Sequence, residues 1–217
     1  MSAAEGYQAI RRSRLVAILR ASSPDRLVAG AQVLVEEGIQ TLELPLTSPA
    51  ALDAIRRTAD LAGDRALVGA GTIRTVDDAR RAVDAGARFL VLPALTLPVL
   101  EHAVAHDIAV LPGAMTPTEI STALAAGAQL VKLFPAVTLG PEFLRQVLVP
   151  LRQLAAVPTG GIELSTPRSG WTPGRSPWAW AHPYPVRPWS TGTWTNCGSG
   201  PGLGRLPSRD PRPDHLR

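Results

Sequence analysis

Lys132 is the only lysine in the chain, and it stands inside an apolar run, Leu130-Val131-Lys132-Leu133-Phe134-Pro135. A charged amine in such a run is costly unless it is neutral or paired. Burial lowers a lysine pKa from about 10.4, and the neutral amine is a nucleophile towards a carbonyl. A lysine that merely snorkels from a strand end would show the same local pattern. Glu43 poses the same question within Thr41-Leu42-Glu43-Leu44-Pro45-Leu46. Burial raises a carboxyl towards neutrality, which suits a general acid/base. The structural alternative is an ion pair with Arg20, which closes the preceding apolar run. Taken together, the two ionisable groups fit a Schiff-base enzyme with a carboxylate proton shuttle.

Other signals are weaker. Gly69-Ala70-Gly71-Thr72, taken alone, reads as an ordinary tight strand-to-helix turn. Gly160-Gly161 offers backbone N–H groups to an anion such as phosphate, with a plain turn as the alternative. His102 and His106 are spaced i, i+4, but no third ligand stands near them in sequence. They read as a solvated helix face, and no metal is expected.

These residues need elements to hold them. Short apolar runs recur at 15–19, 41–46, 66–69, 89–92, 109–111, 130–134 and 155–157. Each lacks strict alternation, as expected of parallel strands buried on both faces. Helical patterns lie between them at 24–37, 50–62, 76–85, 97–106, 117–126 and 141–154. Several open after Ser or Thr and stop at Gly. Strands alternating with helices predict one α/β domain. Polar and glycine-containing segments repeatedly follow the strand C-termini, and a (β/α)8 barrel gathers all such loops at one mouth. An open sheet would use mainly those at one switch point.

Composition sets the outer bounds. Of 217 residues, 45% are hydrophobic and 18% charged, which excludes a wholly disordered chain. No run is long and apolar enough for a membrane span, and no signal-peptide pattern opens the chain. Cys197 is the only cysteine, which excludes an internal disulfide framework. The cytoplasm is the expected location. The averages hide a break: residues 1–164 carry 15 basic and 16 acidic side chains, whereas residues 165–217 carry seven Arg and two Asp. The second segment also holds all five Trp and ten of the 21 Pro.

Six segments resemble, in order, those of the 2-keto-3-deoxy-6-phosphogluconate / 4-hydroxy-2-oxoglutarate aldolases, which are class I lyases. They are Val16-Ala17-Ile18-Leu19-Arg20, Leu42-Glu43-Leu44-Pro45-Leu46, Gly69-Ala70-Gly71-Thr72, Leu111-Pro112-Gly113, Val131-Lys132-Leu133-Phe134-Pro135 and Pro158-Thr159-Gly160-Gly161. The resemblance implies a (β/α)8 barrel, a homotrimer, no cofactor and no metal. It makes Lys132 the Schiff-base lysine and Glu43 the general acid/base. Arg20 and Thr72 would help bind the pyruvyl carboxylate, Pro93 and Phe134 would line the pocket, and Gly160 and Gly161 would serve the phosphate. The substrates would be a phosphorylated 2-keto acid and pyruvate.

One departure bears on the substrate. Gluconate-type enzymes of this family carry Arg four residues after the catalytic Glu, where this chain has Thr47. The stretch from Glu43 to Pro49, and Gly140-Pro141-Glu142-Phe143, look more like the 2-keto-3-deoxy-6-phosphogalactonate branch. A polar pocket can distinguish two substrates that differ in one hydroxyl configuration.

The family pattern should continue past Gly161 with a helix, an eighth strand and a Gly-x-Gly-Ser phosphate loop. The 165–217 tail shows none of these. Reading codons for 168–184 one base earlier, with the degenerate bases chosen freely, allows Pro-Glu-Trp-Leu-Asp-Ala-Gly-Ala-Val-Ala-Val-Gly-Met-Gly-Ser-Pro-Leu. The reading is therefore a barrel over 1–164, incomplete at its eighth βα unit, and a frameshifted, disordered tail over 165–217. With that tail the chain is either an aldolase or an inactive frameshifted remnant of one, and two other functions compete with the aldolase. A non-catalytic phosphate binder would keep Gly160-Gly161 but have no use for Lys132. Nucleic-acid binding through interleaved Arg and Trp of the tail is not expected, because the altered frame accounts for that clustering.

Overall fold

The computed structural model describes residues 1–48 and 50–161, together with the backbone of 180–185. Helix α1 (Ala3–Ser13) comes first, followed by strand β1 (Leu15–Arg20), α2 (Pro24–Glu36), β2 (Thr41–Pro45), α3 (Ala51–Ala62) and β3 (Leu67–Gly71). Then come α4 (Val76–Asp84), β4 (Phe89–Val91), α5 (Leu97–Ala105), β5 (Ala109–Leu111), β6 (Gly113–Ala114), α6 (Pro117–Ala125), β7 (Val131–Leu133), α7 (Ala136–Leu148) and β8 (Ala156–Pro158). Strand β9 spans Trp180–Pro185.

All the pairings are parallel, in the order β5-β4-β3-β2-β1-β9 and β6-β7-β8. Pro112 separates β5 from β6 and has no N–H to give, yet its carbonyl accepts from Lys132 N at 2.9 Å. β5 and β6 are thus two segments of one staves-like run that carries the ladder from one sheet to the other. The sequence leaves β1 without an outer partner; here Trp180–Pro185 runs parallel to it, from Leu15↔Trp180 to Arg20↔Pro185, and also neighbours β8. A strand at that place meets the free N–H and C=O groups of β1. Pro183 and Pro185 give no N–H of their own to the ladder. The rest of the expected tail, and the helix expected before the eighth strand, lie outside the described residues.

Two apolar layers result from strands buried on both faces. Leu42, Leu44, Val68, Leu90, Val110, Val131 and Leu133 pack outward against the helices. Val16, Ile18, Leu67, Phe89, Val91, Leu111 and Val157 fill the barrel. The period of two along a strand therefore turns Glu43 and Lys132 inward.

The sequence reading did not anticipate α1. It closes the barrel at the ends where the strands begin, with Tyr7 and Ile10 joining the interior layer. The Tyr7 hydroxyl accepts from Val110 N at 3.1 Å and donates to Val110 O at 3.3 Å. Ser2 and Glu5 form a reciprocal capping box that starts the helix. Similar boxes open α4, with Thr75 and Asp78, and α6, with Thr116 and Glu119. Among the described residues no helix is long and apolar enough to cross a membrane.

Candidate active site

Glu43 is 2% exposed and Lys132 8%, on strands on different sides of the barrel. Glu43 stands level with Ile18 and Gly69, whereas Lys132 stands level with Gly113 and Val157. Neither side chain joins an ion pair of 4 Å or less among the described residues. They are nevertheless coupled through space. Burial pushes the Glu43 carboxyl up from 4.5, and the positive charges of Lys132 and Arg20 offset part of that rise. The result is a carboxyl of raised proton affinity in the barrel interior, which also holds the Lys132 amine.

The amine has an aromatic companion. Lys132 Nζ lies 5.2 Å from the centroid of the Phe134 ring, within cation–π range. Phe134 is two residues further along the chain, beyond the end of β7, and is 41% exposed at the mouth. Its ring rests on Gly160, where an added Cβ would come within 3.1 Å of it. The ends of β7 and β8 are tied together: Thr159 N donates to Leu133 O, and Ala136 N donates to Thr159 O.

The other expected residues sit around the same rim. Arg20 ends β1 and is exposed. Thr72 follows β3 with a φ of 59°, a left-handed conformation unusual for a β-branched residue and commonest where function demands it. Pro93 follows β4, and its carbonyl oxygen would lie 2.5 Å from a Cβ placed on Gly113. β4 and β6 therefore approach closely beside the level of Lys132. Gly160 and Gly161 have φ of 90° and 71°, and an added Cβ at Gly161 would meet Val137 Cβ at 2.6 Å. Packing against α7 is thus reason enough for Gly161 to lack a side chain. Thr47 is exposed in the loop after β2.

Two features of the rim went unassigned in the sequence. Thr159 is 2% exposed, and its hydroxyl donates to Val157 O at 3.0 Å. Its position between Pro158 and Gly160 at a strand end was the available signal. Gly71 lies directly under Glu43, and nothing in its neighbours' types announces that. His102 and His106 stack with ring centroids 4.1 Å apart on the outer face of α5, away from this rim. No group of three metal-binding side chains occurs among the described residues.

A family model described as KDPG and KHG aldolase matches residues 7–171. The 2-dehydro-3-deoxy-6-phosphogalactonate aldolase of Escherichia coli K12 is 35% identical over 149 residues, 68% of this chain and 73% of that one. The 2-dehydro-3-deoxy-phosphogluconate aldolase of Treponema pallidum is 34% identical over 160 residues, 73% of this chain and 76% of that one. The structure of the KDPG aldolase of Legionella pneumophila, with pyruvate captured as a covalent carbinolamine, aligns with a TM-score of 0.65 at 28% identity. It covers 71% of this chain and 75% of that one.

Proposed function

The chain belongs to the KDPG and KHG aldolase family of carbon–carbon lyases, and within it we propose a Schiff-base aldolase that splits a 2-keto-3-deoxy-6-phospho sugar acid. The observation that carries this reading is the pairing of two inward, buried, oppositely ionising groups, Lys132 and Glu43, in one barrel. The Lys132 amine attacks the C2 ketone, and loss of water gives an iminium. Glu43, acting through a water, takes the proton of the C4 hydroxyl. The C3–C4 electrons move into the iminium, releasing glyceraldehyde 3-phosphate and leaving an enamine. Protonation at C3 and hydrolysis give pyruvate and free the amine. The steps are covalent and acid/base catalysis and use no cofactor or metal.

Arg20 and the strained Thr72 are assigned to the pyruvyl carboxylate, Pro93 and Phe134 to the pocket wall, and Gly160 with Gly161 to the phosphate. Thr47, in place of a family Arg, favours the galactonate-type substrate over the gluconate type. The assembly is a cytoplasmic homotrimer in this reading; exposed Val137 and Val149 supply apolar surface to bury. Residues 165–217 are read as a segment in an altered frame, and resequencing the gene around codon 167 tests that.

The decisive experiment is reductive trapping. Incubation of the chain with pyruvate and borohydride should add one reduced pyruvyl group to the intact mass, and Lys132→Ala should abolish it. A folded chain that gains no mass refutes the proposal. Cleavage rates for the two phosphorylated epimers then decide the substrate.

A further inference from the structure

Strand β3 presents two glycines to the barrel interior, Gly69 and Gly71, separated by the period of two. Neither has a φ in the left-handed region. Their value is therefore space, not backbone freedom. A Cβ added at Gly69 would sit 2.3 Å from the Phe89 ring. A Cβ added at Gly71 would sit 1.9 Å from Glu43 Oε1, 2.6 Å from its Cδ and 2.8 Å from its Cγ. The three nearest atoms all belong to Glu43. Two side chains from the flanking strands thus cross over β3, one above the other. The Phe89 ring lies at the level from which Glu43 springs, and the Glu43 carboxylate lies one layer nearer the mouth.

We propose that Gly71 is the positioning residue for Glu43: the side chain it lacks is the slot in which the carboxylate lies, above an apolar floor made by Phe89 over Gly69. The catalytic part of this inference rests on the aldolase reading. The slot fixes the carboxylate by shape, since Glu43 makes no hydrogen bond among the described residues. A methyl group at position 71 leaves the carboxylate nowhere to lie but towards the mouth and water. Displacement of a catalytic group by about 1 Å costs on the order of 100-fold in rate.

The test compares Gly71→Ala, Glu43→Ala and the double variant as full-length chains. Gly71→Ala should lower kcat for cleavage about 100-fold, with KM little changed. The acid limb of its kcat profile should move down towards the ordinary carboxylate range as water replaces the apolar slot. Its melting temperature should fall by several degrees, and the same substitution should cost almost nothing in the Glu43→Ala chain, where the clashing atoms are gone. If Gly71→Ala cannot be folded, the double variant still should. The proposal is overturned by unchanged kcat in Gly71→Ala, by equal loss of melting temperature in both backgrounds, or by a double variant that also fails to fold. A parent chain that traps no pyruvate overturns the aldolase reading instead, and the thermal comparison still decides the slot.

Discussion

Replacing Glu43 by Gln separates what the carboxylate does for the reaction from what its burial costs the fold. The amide nearly keeps the shape of the side chain but cannot exchange a proton. Loss of a positioned general acid/base lowers the rate about 100- to 10,000-fold, or about 2.7–5.5 kcal/mol of transition-state stabilisation. The stability effect has a definite sign. Burial, the dominant cause, raises the folded carboxyl above 4.5, against the pull of Lys132 and Arg20. The folded chain therefore holds this proton more tightly than the unfolded chain does. Glu43 contributes its full stability below the unfolded value, and that contribution is lost as pH rises through the folded value. Each tenfold gain in proton affinity corresponds to about 1.4 kcal/mol. Gln is neutral throughout, so the unfolding free energy of the parent minus that of Glu43→Gln should decline as pH rises above about 4.5 and then level off. Urea titrations in steps of pH measure this difference, and reductive trapping confirms that the variant keeps a competent Lys132. A difference that grows with pH would mean that the folded carboxyl lies below 4.5, and the burial argument would fail.

Three further outcomes rest on neighbouring groups. Arg20→Met removes a positive charge that holds the Glu43 proton affinity down, so the acid limb of kcat should move to higher pH; an unchanged or lowered limb contradicts the coupling. Thr58→Val should raise stability by about 1 kcal/mol, because the buried Thr58 hydroxyl has no hydrogen-bond partner among the described residues and Val keeps its volume; calorimetry showing a loss would mean the hydroxyl is bonded. Tyr7→Phe deletes a hydroxyl that both gives to and takes from Val110 in the barrel interior; a cost of about 1–3 kcal/mol is expected, with little change in kcat because Tyr7 lies at the end remote from the mouth.

The strands were legible because parallel strands covered on both faces leave unbroken apolar runs, and a lone charge in such a run shows plainly. Lys132 and Glu43 stood out for that reason. Helix α1 was not legible by periodicity, since only Gly6, Tyr7 and Ile10 of it are buried; the Ser2…Glu5 spacing was its available sign. Helix α7 was expected to begin at Pro141, and a helical segment does begin there. A shorter turn from Ala136 precedes it, set off by Gly140 at φ 70° and ψ 166°. The slot at Gly71 could not be read at all. In sequence a glycine before Thr signals a turn, and only the neighbouring strand reveals that a carboxylate lies across it. The partner of β1 was missed because the Trp- and Pro-containing segment at 180–185 has none of the usual marks of an interior strand.

Helix α1 also orders events during synthesis. Its ties reach far along the chain: Ala3 N to Asp107 Oδ1, Tyr7 to Val110, and Arg11 to Gln129 O, spanning 104, 103 and 118 residues. The helix is made before every strand it plugs, yet none of these partners exists until the chain has grown past residue 107. Loop entropy opposes such contacts until both ends are present. An early-born helix thus waits, and its seating reports that the middle of the ring has been laid down.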